Sequence, residues 1–344
     1  MTIKEVAKFA GVSTATVSYV INGTQNVKED KRQRVLDAIK QLGYQPNRIA
    51  KSLRLKSTNT IGVLVEDIMG FSVPEIINGI SEYTEKNGYQ ILLNDLRMLE
   101  SLSNQYEQIV QQKDKINEAI SLLLHGARVD AIIYISTFDR EITGIINEIH
   151  KPLVIAYSTT ADPGACYVAY DSEDISAEVI RYFLQQSHRH IAIITGPPHT
   201  FPSQMRMRGI QKAFHEAGIT LNNSFVKNGD WEYDSGYLCM KELLGEEPGP
   251  TALFAMNDLM AAGAMDAIHD VGLKVPEDIS VIGFDNREIA SYLRPRLTTV
   301  EINLKEIGRT AAEMALNQIK GKQIDKPNII VPSKLILRET VSRF

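Results

Sequence analysis

The sequence predicts a small all-α head followed by an α/β body of two doubly wound parallel-sheet subdomains. Three observations carry this expectation. Helix-period patterning, punctuated by glycine and serine, fills the first 57 residues. From residue 60 onward, short apolar runs alternate with amphipathic segments. Charge is split the same way: residues 1–60 carry a net +7 and the remainder −12, within an overall −5. A basic head on an acidic body suits nucleic acid, because phosphate contacts supply most of the raw affinity. The length of 344 residues accommodates two to three domains. Apolar runs such as "IGVLV" and "AIIYI" fall well short of the roughly 20 residues that span a bilayer. The N-terminus lacks the apolar core of a signal peptide, so a cytoplasmic protein with no membrane partner is expected. Cys166 and Cys239 stand far apart without metal-ligand spacing and read as free thiols, so neither metal nor cofactor is expected.

Each helix of the head has a local cause. Thr2 and Glu5 form a capping box before "IKEVAKFA", with Ile3, Val6 and Ala10 on one face. Gly11 ends that helix. Ser13 can cap a second one, with Val17, Val20 and Ile21 on its buried side. Two short helices meeting at a glycine turn make a helix-turn-helix unit. A third helix, "EDKRQRVLDAIKQLGY", should turn Val35, Leu36, Ile39 and Leu42 inward.

In such a unit the start of the second helix enters the major groove. That places Thr14, Ala15, Ser18 and Tyr19 at base edges, while Ser13 and Thr16 suit a phosphate, with Thr2 and Asn22 flanking them. Tyr19 lacks the forked donors that read guanine. It is either a reader with one hydroxyl and a ring, or an exposed aromatic packed on its neighbours. Beyond Pro46, Asn47 can cap a short segment in which Arg48 and further basic residues surround Ala50 and Leu53. Leu53 has no core to enter. It is either a wedge for a minor-groove step or part of a plain linker.

From residue 60 the expected strands are "TIGVLVED", "YQILLND", "DAIIYIS", "PLVIAYS", "HIAIITG", "ALFAMND" and "ISVIGFD". Helices are expected at about 74–87, 174–187, 204–217, 234–245, 258–271 and 303–320. Alternation of this kind implies parallel sheets covered on both faces. Ligands of such sheets bind beyond the carboxyl ends of the strands. Polar groups, aromatics and an arginine converge there, as a sugar site requires. Asp258 is expected to cap its helix. Leu99 to Leu124 follow three-and-four spacing and predict an extended helix or helical pair, either a contact element or a solvated decoration. The His-x-His of "SHRHIAII" reads as a helix end and strand start.

The stretches "TIKEVAKFAGVSTATVSYVING", "VLDAIKQLGYQPNRIAKSL" and "TNTIGVLV" resemble the lactose-repressor family of bacterial transcription regulators, and the resemblance runs to about Leu337. It implies a periplasmic-binding-protein-like body. Its halves would comprise residues 60–158 with 290–320, and 159–289 with 321–344, behind a head at 1–57 whose hinge helix spans about 46–56. It makes Leu53 the minor-groove lever. Tyr19 departs from the family's usual Arg or His, which alters the operator rather than DNA binding itself. It also implies that Arg206 grips the effector and Asp285 accepts its hydrogen bonds. Asn257 and Trp231 would complete that half, facing Phe71 and Ser72 from the other. Tyr157 stands where several relatives carry an acid.

The function expected is that of a repressor. It would be a homodimer on a near-palindromic double-stranded operator, controlled by a small molecule in the body's cleft. A sugar is the expected effector, and a purine or nucleoside the alternative. The helix at 258–271, with its methionines, is the expected dimer surface. A transport solute-binding protein would not need the basic head. An enzyme would need a phosphate loop, nucleophile elbow or metal-ligand spacing, and the sequence holds none of these.

Overall fold

The computed structural model describes residues 2–22, 27–44, 57–98, 106–324 and 326–344, with the side chains of Asn22, Tyr106 and Glu107 excepted. Internal contacts divide it into two units, Met1–Thr58 and Asn59–Phe344. Asn47, Arg48, Ala50, Leu53 and the expected hinge helix lie outside the described residues.

Among the described residues, three helices build the head: α1 (Ile3–Ala10), α2 (Thr14–Asn22) and α3 (Glu29–Leu42). The capping box before α1 is complete. Thr2 N–H donates to Glu5 Oε2 at 2.6 Å, and Glu5 N–H returns to Thr2 Oγ1. The Thr2 backbone bond holds the Glu5 carboxyl below its ordinary pKa. Gly11 adopts the left-handed conformation (φ 62°) and closes the turn. Val6, Ala7, Ala10, Val17, Val35 and Ala38 form the small core. Leu36, expected inside, is 43% exposed, because the apolar stripe of α3 runs through Val35 and Ala38 instead.

The body opens with β1 (Thr60–Val65), α4 (Val73–Lys86), β2 (Gln90–Asp95), α5 (Tyr106–Gln111), α6 (Lys113–Ser121) and a π-helical turn at Leu122–Gly126. Then come β3 (Ala131–Ile135), β4 (Leu153–Ala156), β5 (Cys166–Tyr170), α7 (Ser172–Gln185), β6 (Ile191–Thr195), α8 (Phe201–Glu216) and β7 (Val226–Asn228). The rest is α9 (Tyr233–Leu243), β8 (Ala252–Ala255), α10 (Asp258–Asp270), β9 (Ser280–Asp285), α11 (Glu288–Tyr292), β10 (Thr298–Glu301), α12 (Leu304–Ile319), β11 (Asn328–Val331) and β12 (Lys334–Ile336).

These strands form two six-stranded sheets, ordered β11-β5-β4-β3-β1-β2 and β12-β10-β9-β8-β6-β7. Every pairing is parallel except β10 with β12. The chain passes between the sheets three times, after β5, after β10 and after β11. This moves the boundaries expected from sequence. β5 and β11 belong to the first sheet and β10 to the second, because apolar runs reveal strands but not their partners. Leu99 and Leu102 lie outside the described residues, but the helical pair expected between the second and third strands is present as α5 and α6, packed rather than projecting. Segment 106–126 lies on the first sheet, with Ile109, Ile116, Ile120 and Leu123 buried, and its exposed apolar residues are Val110 and Leu122. The α10 methionines, Met260 and Met265, are buried in their own subdomain and offer no dimer surface. His188 is buried between Thr251 Oγ1 and the Ser342 carbonyl, each 3.0 Å away, and ties the C-terminal segment to the second sheet.

Candidate functional site

Both sheets share one winding order, in which the first strand lies between the second and the third. Their direction of winding reverses between β1 and β3 and between β6 and β8, which is where open α/β sheets bind ligands. The loops leaving those strands line a cavity of about 420 Å³. Gly70, Phe71, Phe138, Asp139, Tyr157 and Tyr170 come from the first half, and Pro202, Arg206, Trp231, Asn257, Asp285 and Arg287 from the second.

Arg206 organises this cavity. It projects from α8, is 4% exposed, and its guanidinium lies 3.6 Å above the Phe284 ring and 5.6 Å from Trp231. One terminal nitrogen donates to the Met256 carbonyl; the other donates to Tyr170 Oη at 3.2 Å and stands 3.7 Å from Asp285. Burial disfavours the charge, but Tyr170 and Asp285 more than offset it, and the Arg206 pKa is raised. Its Nε and the Trp231 Nε1 are both buried without a hydrogen-bond partner.

Trp231 is held from three sides. Its backbone is left-handed (φ 78°), and its carbonyl accepts a 2.7 Å bond from Asn257 Nδ2. Its ring covers Gly196, where a Cβ would stand 2.0 Å from the indole, so only glycine fits. Asn257 is therefore a positioning group. Its Oδ1 caps α10 through Met260 N–H at 2.8 Å, the role expected of Asp258. Asp258 is instead fully buried; it accepts bonds from Thr299 Oγ1 (2.5 Å) and Arg287 N–H (2.7 Å). Those bonds hold the Asp285–Arg287 loop, where Asp285 (φ 103°) and Asn286 (φ 53°) are both left-handed. With Tyr157 (φ 72°), strained backbone gathers around the cavity, as it does at functional sites.

Six of the seven effector residues expected from sequence thus line one cavity. Ser72 does not. It is fully buried and directs its hydroxyl to the Thr137 carbonyl at 3.4 Å, because the chain enters α4 directly after Phe71. Asp139 was missed, although the carboxyl-end rule that finds the others applies equally to the residues after β3. Burial raises Asp139 and Asp285 to about 6 each, against the lowering effect of Tyr170 and then Arg206 on Asp139, and of Arg206 and then Arg287 on Asp285. The Arg287 guanidinium lies 5.2 Å from the Phe71 ring, so the two halves meet through a cation–π contact at the rim.

On the head, Thr14 and Ala15 are exposed at the start of α2, and Thr16, Ser18 and Tyr19 are half-buried. Ser13 Oγ accepts from Thr16 N–H at 3.1 Å and lies 2.9 Å from Thr16 Oγ1, so these hydroxyls first of all build the helix start.

A helix-turn-helix head with a two-sheet body and a cavity between the sheets defines a DNA-binding regulator. Comparison with known proteins gives its family. Residues 2–47 match the family of bacterial regulatory proteins of the lacI type, and residues 180–341 match a periplasmic binding protein-like domain. Over 99% of both chains, the protein is 35% identical to the HTH-type transcriptional repressor PurR of Vibrio vulnificus. It is 32% identical to PurR of Photobacterium profundum, over 99% of this chain and 98% of that one. The lac repressor dimer bound to operator and an anti-inducer superposes with a TM-score of 0.80 at 27% identity, covering 99% of each chain. The regulator CelR in complex with cellobiose gives 0.66 at 27% identity, with the same coverage. The chain belongs to the LacI family and is a DNA-binding transcriptional repressor, not an enzyme. Among the described residues, no helix is long and apolar enough to cross a membrane.

Proposed function

We propose that this repressor responds to a purine, as base or nucleoside, rather than to the sugar expected from sequence. The aromatic lining of the cavity carries the reading. Phe71, Phe138, Tyr157, Tyr170 and Trp231 surround it, and Tyr157 and Tyr170 are stacked with centroids 5.6 Å apart. A flat heteroaromatic ring matches such walls, and the edge donors of Arg206 match ring nitrogen and carbonyl acceptors. The similarity to PurR repressors supports the same choice.

In this reading the protein works in the cytoplasm as a homodimer on a near-palindromic operator. Thr14, Ala15, Ser18 and Tyr19 meet base edges; Thr2, Ser13, Thr16 and Asn22 meet phosphates. Asn47, Arg48, Ala50 and Leu53 supply the hinge contacts. The effector moves operator affinity only by its differential affinity for the two relative settings of the body's halves.

Titration calorimetry with adenine, guanine, hypoxanthine, their nucleosides, glucose and cellobiose tests the proposal, paired with operator gel shifts with and without each compound. Binding of a purine that also shifts operator affinity is the expected result. Binding of a sugar alone would overturn it.

A further inference from the structure

The first-sheet wall of the cavity holds a carboxylate with spare accepting capacity. Asp139 is 5% exposed and lines the cavity beside Tyr157 and Tyr170. Ser172 Oγ donates to it over a long 3.4 Å. Tyr170 accepts from Arg206, so its own hydroxyl proton is free to point to Asp139. Two donors leave unused part of the roughly four acceptor positions of a carboxylate. A carboxylate removed from water with acceptors unfilled is costly, and a ligand donor would relieve that cost. On the opposite wall, Asp285 meets Arg206 at 3.7 Å, too long for a hydrogen bond, and is likewise about nine-tenths buried. The cavity therefore presents acceptors on both walls with a single buried guanidinium between them. Its further charged groups are Asp230, Glu232 and Arg287, so acids outnumber bases four to two.

We infer that Asp139 is an effector-binding residue which, with Asp285 across the cleft, selects purines carrying N–H donors toward both walls and excludes those bearing a phosphate. The inference rests on the purine reading and narrows it to uncharged amino-purines. A ligand with a donor to each carboxylate satisfies both at once. One lacking the donor leaves a buried acceptor unpaired, the situation in which polar sites discriminate most strongly. A phosphate would meet the two buried carboxylates, with the exposed Asp230 and Glu232 adding to the repulsion.

The test measures dissociation constants for guanine, hypoxanthine and guanosine 5′-monophosphate on the full chain, in wild type, Asp139→Asn and Asp139→Ser. Guanine differs from hypoxanthine by one amino group, the donor assigned to Asp139; the ring N–H donors are common to both. Wild type should prefer guanine by roughly tenfold or more, the worth of one charge-assisted hydrogen bond. The monophosphate should bind at least about tenfold more weakly than the base. Asp139→Asn, which keeps a neutral acceptor, should weaken the guanine preference and Asp139→Ser should lose it, both holding hypoxanthine within about threefold of wild type, well under one such bond. Asp139→Ser answers the question should Asp139→Asn fail to fold. An undiminished guanine preference in either folded variant overturns the inference and leaves the purine reading standing, as does equal binding of the monophosphate. If no purine binds and a sugar does, the reading falls and the inference with it.

Discussion

At the scale of single residues the site depends on one cation in two roles. Arg206 contacts both halves of the body, at Tyr170 in the first and at Asp285 and the Met256 carbonyl in the second. Arg206→Ala should abolish the effector's influence on operator affinity while the head still binds operator; gel shifts with and without effector check this. A normal response would remove Arg206 from the effector's contacts. Arg206, Asp285, Trp231 and Tyr157 were legible through the family resemblance; composition and periodicity alone reach only the segments beyond the strands' carboxyl ends. Ser72 was misplaced because adjacent residues entering a helix point in divergent directions. The exchanged roles of Asn257 and Asp258 were not legible either, since either side chain can cap a helix and only the tertiary partners, Trp231 and Thr299, decide.

Among the elements, α4 and α12 make the closest helix pair of the first half. Gly79 faces the Lys305 carbonyl and Gly308 the Ile76 carbonyl, each leaving 2.0 Å for an added Cβ. Backbone cannot yield as a side-chain tip can, so Gly308→Ala should force the helices apart. Overpacking of this kind costs about 1–3 kcal/mol. The expected outcome is a lower denaturation midpoint for the body with the head's transition unmoved. An unchanged midpoint would mean that the pair has slack. The longer strands and helices were legible as elements, because their period and apolar content are strong. β7, β10, β11 and β12 were not, being three or four residues each and polar or mixed in composition, nor was β5, a short apolar run of five residues.

For the whole molecule, stability and pH are linked through buried acids. Asp258 is pushed up to about 8, first by burial and then by Asp285, against the hydrogen bonds of Thr299 and Arg287. A raised carboxyl favours the folded state while it stays uncharged. Its contribution is complete below its ordinary 3.8 and is lost as pH rises through about 8. Asp139 and Asp285, near 6, act with the same sign over a lower range. The body should therefore lose stability as pH rises from about 4 to 8, and Asp258→Asn should flatten the part above roughly 6.5. Melting curves across that range check it. A variant whose slope matches wild type there would show that Asp258 is already ionised in the fold.

Three separate strands of backbone, near residues 171, 302 and 332, join the two sheets. A door on one pin can swing and twist; each further pin takes away some of that freedom. Three connections leave the body's halves fewer ways to move against each other than one would. Small changes at the cleft are then dispersed among fewer motions. The third pin is made by the last stretch of chain, after Val331. Shortening the protein from its C-terminus would first remove the Ser342 carbonyl that holds His188 and the buried Thr340 hydroxyl, and so loosen the second half before it reached the third pin.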